Sequence, residues 1–234
     1  MIYEIAGLRV NMPSITGRTK KQAQPYLSDN QESACDIEIN VSRERIEKAA
    51  KEHPELNEDD WEYMLTGGDF YRALLKFDGI MLHASCLVLD GKAYAFSADS
   101  GVGKTTHTRL WLEKHKNAYI LNDDKPAIRL IDGRVYACGT PWSGSVDCSV
   151  PKLVVLRAIC FLSRAEKNSI KKADTKSAVF NIFSQTVRKL GEKDMDNLFE
   201  ILNTIFEKVE LYELECNMSR DAVDTAEAVL INNN

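Results

Sequence analysis

The chain has 234 residues, 44% hydrophobic and 28% charged, with 30 Lys and Arg against 35 Asp and Glu for a formal charge of -5. That is enough apolar matter for a sizeable core, and it excludes a disordered tail, a collagen-like repeat and a disulfide-stapled miniprotein. The largest basic cluster is small (Arg18, Lys20, Lys21), which argues against nucleic acid as partner, although backbone amides and one metal ion can still hold an anionic nucleotide.

In chain order, an alternating apolar pattern at Ile2, Glu4, Ala6, Leu8 and Val10 predicts a strand. Polar residues 11–34 read as irregular, residues 36–41 alternate again, and Ser42 is placed to cap a helix that stops near His53-Pro54. Residues 69–77 read as a further short helix. Together, residues 1–78 form a small α+β N-terminal unit. Residues 79–234 form a second unit of different texture. There, residues 80–89 and 93–97 are strand-like and flank Asp90-Gly91; residues 127–131 and 135–138 flank Asp132-Gly133. Asp-Gly between two such runs predicts a hairpin, because both turn positions favour positive φ. Residues 153–162 and 211–214 read as strands, and residues 173–190, 193–209 and 220–231 as helices. The aromatic residues Phe180, Phe183 and Phe206 read as core. The six cysteines show no C-x-x-C spacing and read as reduced thiols, with Cys86 and Cys160 inside apolar strands. No leader pattern and no membrane-length apolar run is visible, so a cytoplasmic protein without a membrane partner is expected.

One segment carries chemistry. Residues 97–106, Ser-Ala-Asp-Ser-Gly-Val-Gly-Lys-Thr-Thr, follow an apolar strand and open a helix, the context of a phosphate-binding loop. Gly101 and Gly103 let backbone N–H groups turn toward a phosphate, and the helix N-terminus favours the anion. Asp99, Ser100, Gly101, Val102, Gly103, Lys104, Thr105 and Thr106 are the expected nucleotide-binding residues. Lys104 would reach the terminal phosphates and Thr105 would ligate Mg²⁺. The pattern departs from G-x-x-x-x-G-K-[ST] at its first position, where Ala98 stands. A second element, Asn122-Asp123-Asp124, ends a short strand at residues 119–121. Two adjacent carboxylates there ask for a cation or a shared proton, and one of them suits proton abstraction from an attacking hydroxyl. The third element is His83, in Leu82-His83-Ala84-Ser85.

These three elements together resemble HPr kinase/phosphorylase and, more distantly, ATP-dependent phosphoenolpyruvate carboxykinase. Short bacterial HPr-kinase-related proteins are similar also in Asn122-Asp123-Asp124-Lys125-Pro126, in Gly139-Thr140-Pro141-Trp142-Ser143-Gly144 and in Cys216-Asn217-Met218. The resemblance covers residues 79–165 well and the remainder more weakly. It implies an α/β fold in which the P-loop sits in a mixed sheet with antiparallel hairpins. It also implies ATP and Mg²⁺ as cofactors, Asp123 as the base that deprotonates a hydroxyl, and Asp124 as its metal-organising neighbour. His83 would be placed beside that aspartate, and Arg164 would be a clamp for a phosphoryl group or substrate anion. Thr105 with Asp124 and Asp123 would be the metal ligands, and Asp123, His83, Lys104 and Arg164 the catalytic set. Arg109, on the loop's helix, reads as structural. Ser145 stands where those relatives carry lysine, and the C-terminal signature through which HPr kinase handles HPr is not visible. The expected function is phosphoryl transfer from Mg-ATP to a hydroxyl, of Ser or Thr in a peptide or protein or of a small serine-like metabolite. Two alternatives stand beside it. One is a nucleotide-binding sensor or scaffold without turnover, motivated by Ala98 and Ser145; the other is carboxykinase chemistry. The acceptor and the oligomeric state are open.

Overall fold

The N-terminal strand folds back on itself after four residues. In the computed structural model, which describes residues 1–186 and 190–231, β1 (Ile2–Ile5) pairs antiparallel with β2 (Leu8–Asn11), Ile5 opposite Leu8. Ala6 and Gly7 turn between them at φ 54° and 74°. The single strand expected over residues 2–10 is therefore a hairpin. Tyr3 and Ile5 of β1 face the core together with Leu8 and Val10 of β2, so the buried set switches from odd to even numbers across the two-residue turn, and the even-numbered alternation read from the sequence is broken there. β3 is only Ile37–Glu38, parallel to β2.

The stretch 11–34, expected to be irregular, contains α1 (Gly17–Ala23) and a 3₁₀ turn at Gln24–Tyr26. Tertiary partners supply the missing cap: Glu62 accepts from the Thr16 N–H at 2.8 Å and its hydroxyl at 2.7 Å, and Asp59 accepts from the Arg18 N–H at 2.9 Å. α2 (Arg43–Glu52) starts on Ser42, whose hydroxyl accepts from the Arg45 N–H, as expected. α3 (Glu58–Leu74) begins eleven residues before the helix expected at Asp69 and runs into a 3₁₀ turn, Leu75–Phe77. Gly67 and Gly68 weaken its helical signal. Packing requires Gly67, because a Cβ there would lie 2.8 Å from the Trp142 ring.

The larger sheet runs β4 (Gly79–Met81), β8 (Ala127–Ile131), β9 (Arg134–Cys138), β10 (Leu153–Arg164), β6 (Lys92–Ser97), β5 (Ala84–Leu89), β7 (Tyr119–Asn122). β12 (Glu210–Cys216) also pairs with β10, and β11 (Ser169–Lys172) pairs with β12. The fold is thus a mixed α/β architecture. β10 is parallel to β6 and β12, and most other pairs are antiparallel. Both Asp-Gly turns form as expected, with Leu89 opposite Lys92 and Ile131 opposite Arg134, and all four turn residues have positive φ. The apolar run 80–89 breaks at Leu82-His83 into two strands that join different neighbours. β11 has no clear sequence signal; its exposed Lys171 pairs with Glu213 of β12.

Alternate residues of the central strands feed two cores. Cys86, Val88, Ala93, Ala95 and Ile159 face α5 (Thr175–Ser184) and α6 (Glu192–Lys208). Leu87, Leu89, Tyr94, Phe96 and Cys160 face α4 (Lys104–Lys114) and α7 (Arg220–Leu230). Cys86 and Cys160 are buried free thiols, as expected. A third core joins β1–β3 and α3 with Ala127 and Cys138 of the larger sheet and with Trp142 of the loop after β9. The helix expected over residues 173–190 is α5 up to Ser184; residues 187–189 lie outside the described residues. Phe183 and Phe206 pack on the core, but Phe180 is 72% exposed, contrary to its reading as core. The α5 face that turns inward is carried by Ala178 and Ile182. Among the described residues no helix is long and apolar enough to cross a membrane.

Candidate functional site

Strand direction gathers the chemistry at one edge. The start of β5 and the end of β6 are paired, Ala84 opposite Ser97, and the end of β7 reaches the same level, Cys86 opposite Asn122. β10 ends there too, Phe161 opposite Ser97, with β12 beside it, Arg164 opposite Cys216. Residues 98–103, 83, 123–125, 164 and 217–218 are therefore neighbours, although they come from five strands. His83, Ser100, Gly101, Gly103, Asp123, Asp124, Lys125, Arg164 and Met218 of this group line a cleft of about 650 Å³ with residues 143–146, Tyr63, Met64 and Arg18.

The loop between β6 and α4 is shaped by two left-handed glycines, Gly101 at φ 81° and Gly103 at φ 125°. Ala98 is not among the residues with positive φ, so its methyl group is accommodated without strain. Lys104 is only 8% exposed. Its ammonium donates to the carbonyls of Ala98 at 2.9 Å and Asp99 at 3.3 Å, which folds the loop around it. Burial lowers the Lys104 pKa, partly offset by Asp124, Asp99 and Asp123. Ser100, Thr105 and Thr106 face the cleft. Arg164 donates to the Val102 carbonyl at 3.1 Å and to the Gly101 carbonyl. It thus braces the loop from the rim with two of its five donors. Met218 covers the loop's other side: a Cβ on Gly103 would lie 2.2 Å from its methyl carbon. Asn217 builds the turn that presents it, accepting from the Ser219 N–H at 3.0 Å and donating to the Glu166 carbonyl at 3.1 Å.

The two aspartates are organised by Asn122, which is fully buried. Its Oδ1 accepts from the N–H of Asp124 at 3.0 Å and of Lys125 at 2.8 Å, and its amide donates to Thr140 at 3.0 and 3.1 Å. Asp123 Oδ1 accepts from the hydroxyls of Ser85 at 2.5 Å and Thr105 at 3.2 Å. Burial raises the Asp123 pKa; these hydroxyls and the Arg109 charge oppose the rise, and Asp124 adds to it. For Asp124, burial also pushes upward, but His83 and Lys125 outweigh it and hold the carboxyl at about 2. His83 Nε2 lies 3.4 Å from Asp124 Oδ1, and Lys125 pairs with the other oxygen. Adjacent carboxylates are thereby driven in opposite directions, one toward holding a proton and one toward permanent charge. Arg109 is exposed and acts on Asp123 through its charge.

The structure thus gathers His83, Ser100, Gly101, Gly103, Lys104, Thr105, Thr106, Asp123, Asp124 and Arg164 around one cleft, whereas Asp99 and Val102 belong to the same loop without lining it. Several members lacked an individual sequence signal. Gln185, at the end of α5, accepts from His83 Nδ1 at 2.9 Å, and its carbonyl accepts from the His83 N–H at 2.8 Å; its amide donates to Asp99 at 2.7 Å. Ser85, Tyr63 and Arg18 also belong here, Arg18 lying 3.8 Å over the Tyr63 ring. The segment 139–144 wraps the aspartates. Thr140 holds Asn122, Trp142 stacks on Phe70 at 4.8 Å, and Gly144 lies so close that a Cβ would meet Asp124 Cβ at 3.0 Å.

No protein-family model matches the chain, and no curated protein matches it. Among solved structures it is similar to the Hpr(Ser) kinase/phosphatase from Coxiella burnetii, at 12% identity over 65% of this chain and 94% of that one, with a TM-score of 0.37.

Proposed function

We propose that this protein binds Mg-ATP through residues 99–106 and transfers a phosphoryl group to a hydroxyl of a peptide, protein or small serine-like molecule. The observation that carries the reading is geometric: the Asp123 carboxylate accepts from the hydroxyl of Thr105, next to Lys104 on the loop, at 3.2 Å, with Asp124 beside it held by His83. Gly101 and Gly103 leave the backbone N–H groups of the loop open to the phosphates, and a Cβ at Gly101 would meet nothing within 4 Å. Lys104 exchanges its contacts to the loop carbonyls for the donor's terminal phosphates. The donor set suits Mg²⁺: the Thr105 hydroxyl, Asp124 and Asp123 are hard oxygen ligands. Among the described residues no three His, Cys, Asp or Glu side chains form a metal cluster, so phosphate and water would complete the shell, as this ion prefers. When bound, the ion would neutralise charge on the transferring group.

Asp123 takes the proton from the attacking hydroxyl. Both of its hydrogen bonds fall on Oδ1, which leaves Oδ2 as the acceptor, and its raised pKa makes it a better base near neutral pH than an ordinary carboxylate. Asp124, held ionised, supplies fixed negative charge for the cation, and His83 and Lys125 orient it. Arg164 keeps the loop closed and presents positive charge at the rim. The chain's expected fold relationship to HPr kinase and its cytoplasmic location belong to the same reading.

A thermal-shift titration with ATP, ADP and pyrophosphate, with and without Mg²⁺, tests it. Ligand at 100 times Kd stabilises by about 2.7 kcal/mol. A Mg²⁺-dependent rise in Tm that vanishes in Lys104→Ala, together with phosphoryl transfer that vanishes in Asp123→Asn, is expected. Absence of any nucleotide effect overturns the reading; a nucleotide effect without transfer to any hydroxyl leaves a binding module in its place.

A further inference from the structure

A small second cavity of about 130 Å³ adjoins the cleft and shares Tyr63, Met64 and Lys125 with it. Its remaining walls are Gly67, Gly68, Tyr71, Met81 and Trp142. The lining is aromatic, thioether and glycine, and Lys125 has its ammonium committed to Asp124. At about 30 Å³ for each water-sized group, it has room for about four non-hydrogen atoms, the size of a leucine or isoleucine side chain. Lys125, which lines both the cavity and the cleft, is two residues from Asp123, so their Cα atoms lie within about 7 Å of each other.

Gly68 is the second observation. Its neighbour Gly67 is required by the fold, because Trp142 occupies the space a side chain would need. Gly68 has no such reason. It lies inside α3 with ordinary helical φ, and a Cβ there would meet only the far end of Arg72 at 3.5 Å. A mid-helix glycine costs about 1 kcal/mol relative to alanine, so the fold alone favours a side chain at this position. What the missing side chain does is keep one wall of the cavity open.

We infer that this cavity is the specificity pocket for the phosphoryl acceptor, and that the acceptor carries a leucine-sized aliphatic group next to its reactive hydroxyl. This rests on the kinase reading above. The pocket is built mainly from α3, with Met81, Lys125 and Trp142, and no residue of the phosphate loop lines it. It therefore selects the acceptor and leaves the donor site untouched.

The test uses the full chain with methyl-labelled methionine and observes the Met64 and Met81 methyls and the Trp142 indole by NMR. The probes are N-acetyl-Ser-Leu-amide and N-acetyl-Ser-Asp-amide, each with and without Mg-ADP. Burying a leucine side chain favours the first by about tenfold or more, so it should shift all three reporters at concentrations where the second does not. Gly68→Leu should fill the cavity and abolish that response, with Tm equal to or above that of the parent, as expected for relief of a mid-helix glycine, and with its rise with Mg-ADP intact. Equal responses to the two probes, no response to either, or a response that survives Gly68→Leu overturns the pocket assignment. Loss of the Mg-ADP effect on the unaltered chain overturns the kinase reading instead, and the comparison between the probes is read independently of it.

Discussion

Asn122→Ala should cost more than any other single truncation in the cleft. The Asn122 side chain is buried and makes five hydrogen bonds: two accepted from the N–H groups of Asp124 and Lys125, and three donated, to the carbonyl and hydroxyl of Thr140 and, at 3.4 Å, to the hydroxyl of Ser149. Each such bond contributes about 0.5–1.5 kcal/mol net, and a buried donor left unpaired costs about 1–3 kcal/mol. Water can reach the half-buried Asp124 and Lys125 and recovers part of that loss. The expected destabilisation is therefore about 3 kcal/mol, which for a chain of this length lowers Tm by roughly 6–12 °C. Urea unfolding should show the midpoint falling with an unchanged m-value. Asn122→Asp keeps both acceptor contacts but loses both donors and adds a third carboxylate beside Asp123 and Asp124, so it should be at least as damaging. The order distinguishes the argument from simple loss of volume, because aspartate is nearly isosteric. A stability loss below about 1 kcal/mol in Asn122→Ala, or an Asn122→Asp variant as stable as the parent, would refute the claim that Asn122 organises the aspartate turn.

Two further outcomes are expected. Asp124 has a folded pKa of about 2 against 3.8 for its ordinary value, so its contribution of about 2 kcal/mol is fully present above the ordinary value and is lost as pH falls from 4 to 2. Asp123, with a raised pKa, works with the opposite sign, opposing the folded state as it ionises. Urea titrations at pH 2 to 5 should therefore show a steeper acid loss in the parent than in Asp124→Asn, and equal slopes would contradict the assignment. At Gln185, the leucine variant breaks the links to both His83 and Asp99, whereas Gln185→Glu keeps an acceptor for His83 and repels Asp99. Both should weaken nucleotide affinity, by about fivefold for the loss of one hydrogen bond of about 1 kcal/mol. Only Gln185→Leu should also lower kcat. An affinity unchanged in Gln185→Glu argues against the bond to Asp99.

What the sequence by itself determined is local. The Asp-Gly turns, the Ser42 cap, the glycines and lysine of residues 101–104 and the aspartates at the end of β7 each act through a few adjacent residues. Their backbone preferences and side-chain chemistry operate whatever the rest of the chain does. The same locality explains the misses. The hairpin at Ala6-Gly7 switches the core-facing positions from odd to even numbers, which only the pairing of the two strands reveals. α1 is capped by Glu62 and Asp59, more than 40 residues away. Phe180 belongs to a helix whose inward face is set by Ala178 and Ile182. The cleft itself was decided only by tertiary structure. Strands β5, β6, β7, β10 and β12 must run in register for His83, Lys104, Asp123, Arg164 and Met218 to meet at one edge. The long-range contacts of Gln185 with His83 and of Trp142 with Gly67 have no local signature. The opposite displacement of Asp123 and Asp124 is likewise a tertiary property. Burial pushes both carboxyls upward; at Asp124 a histidine and a lysine outweigh it, whereas at Asp123 two hydroxyls and the Arg109 charge do not.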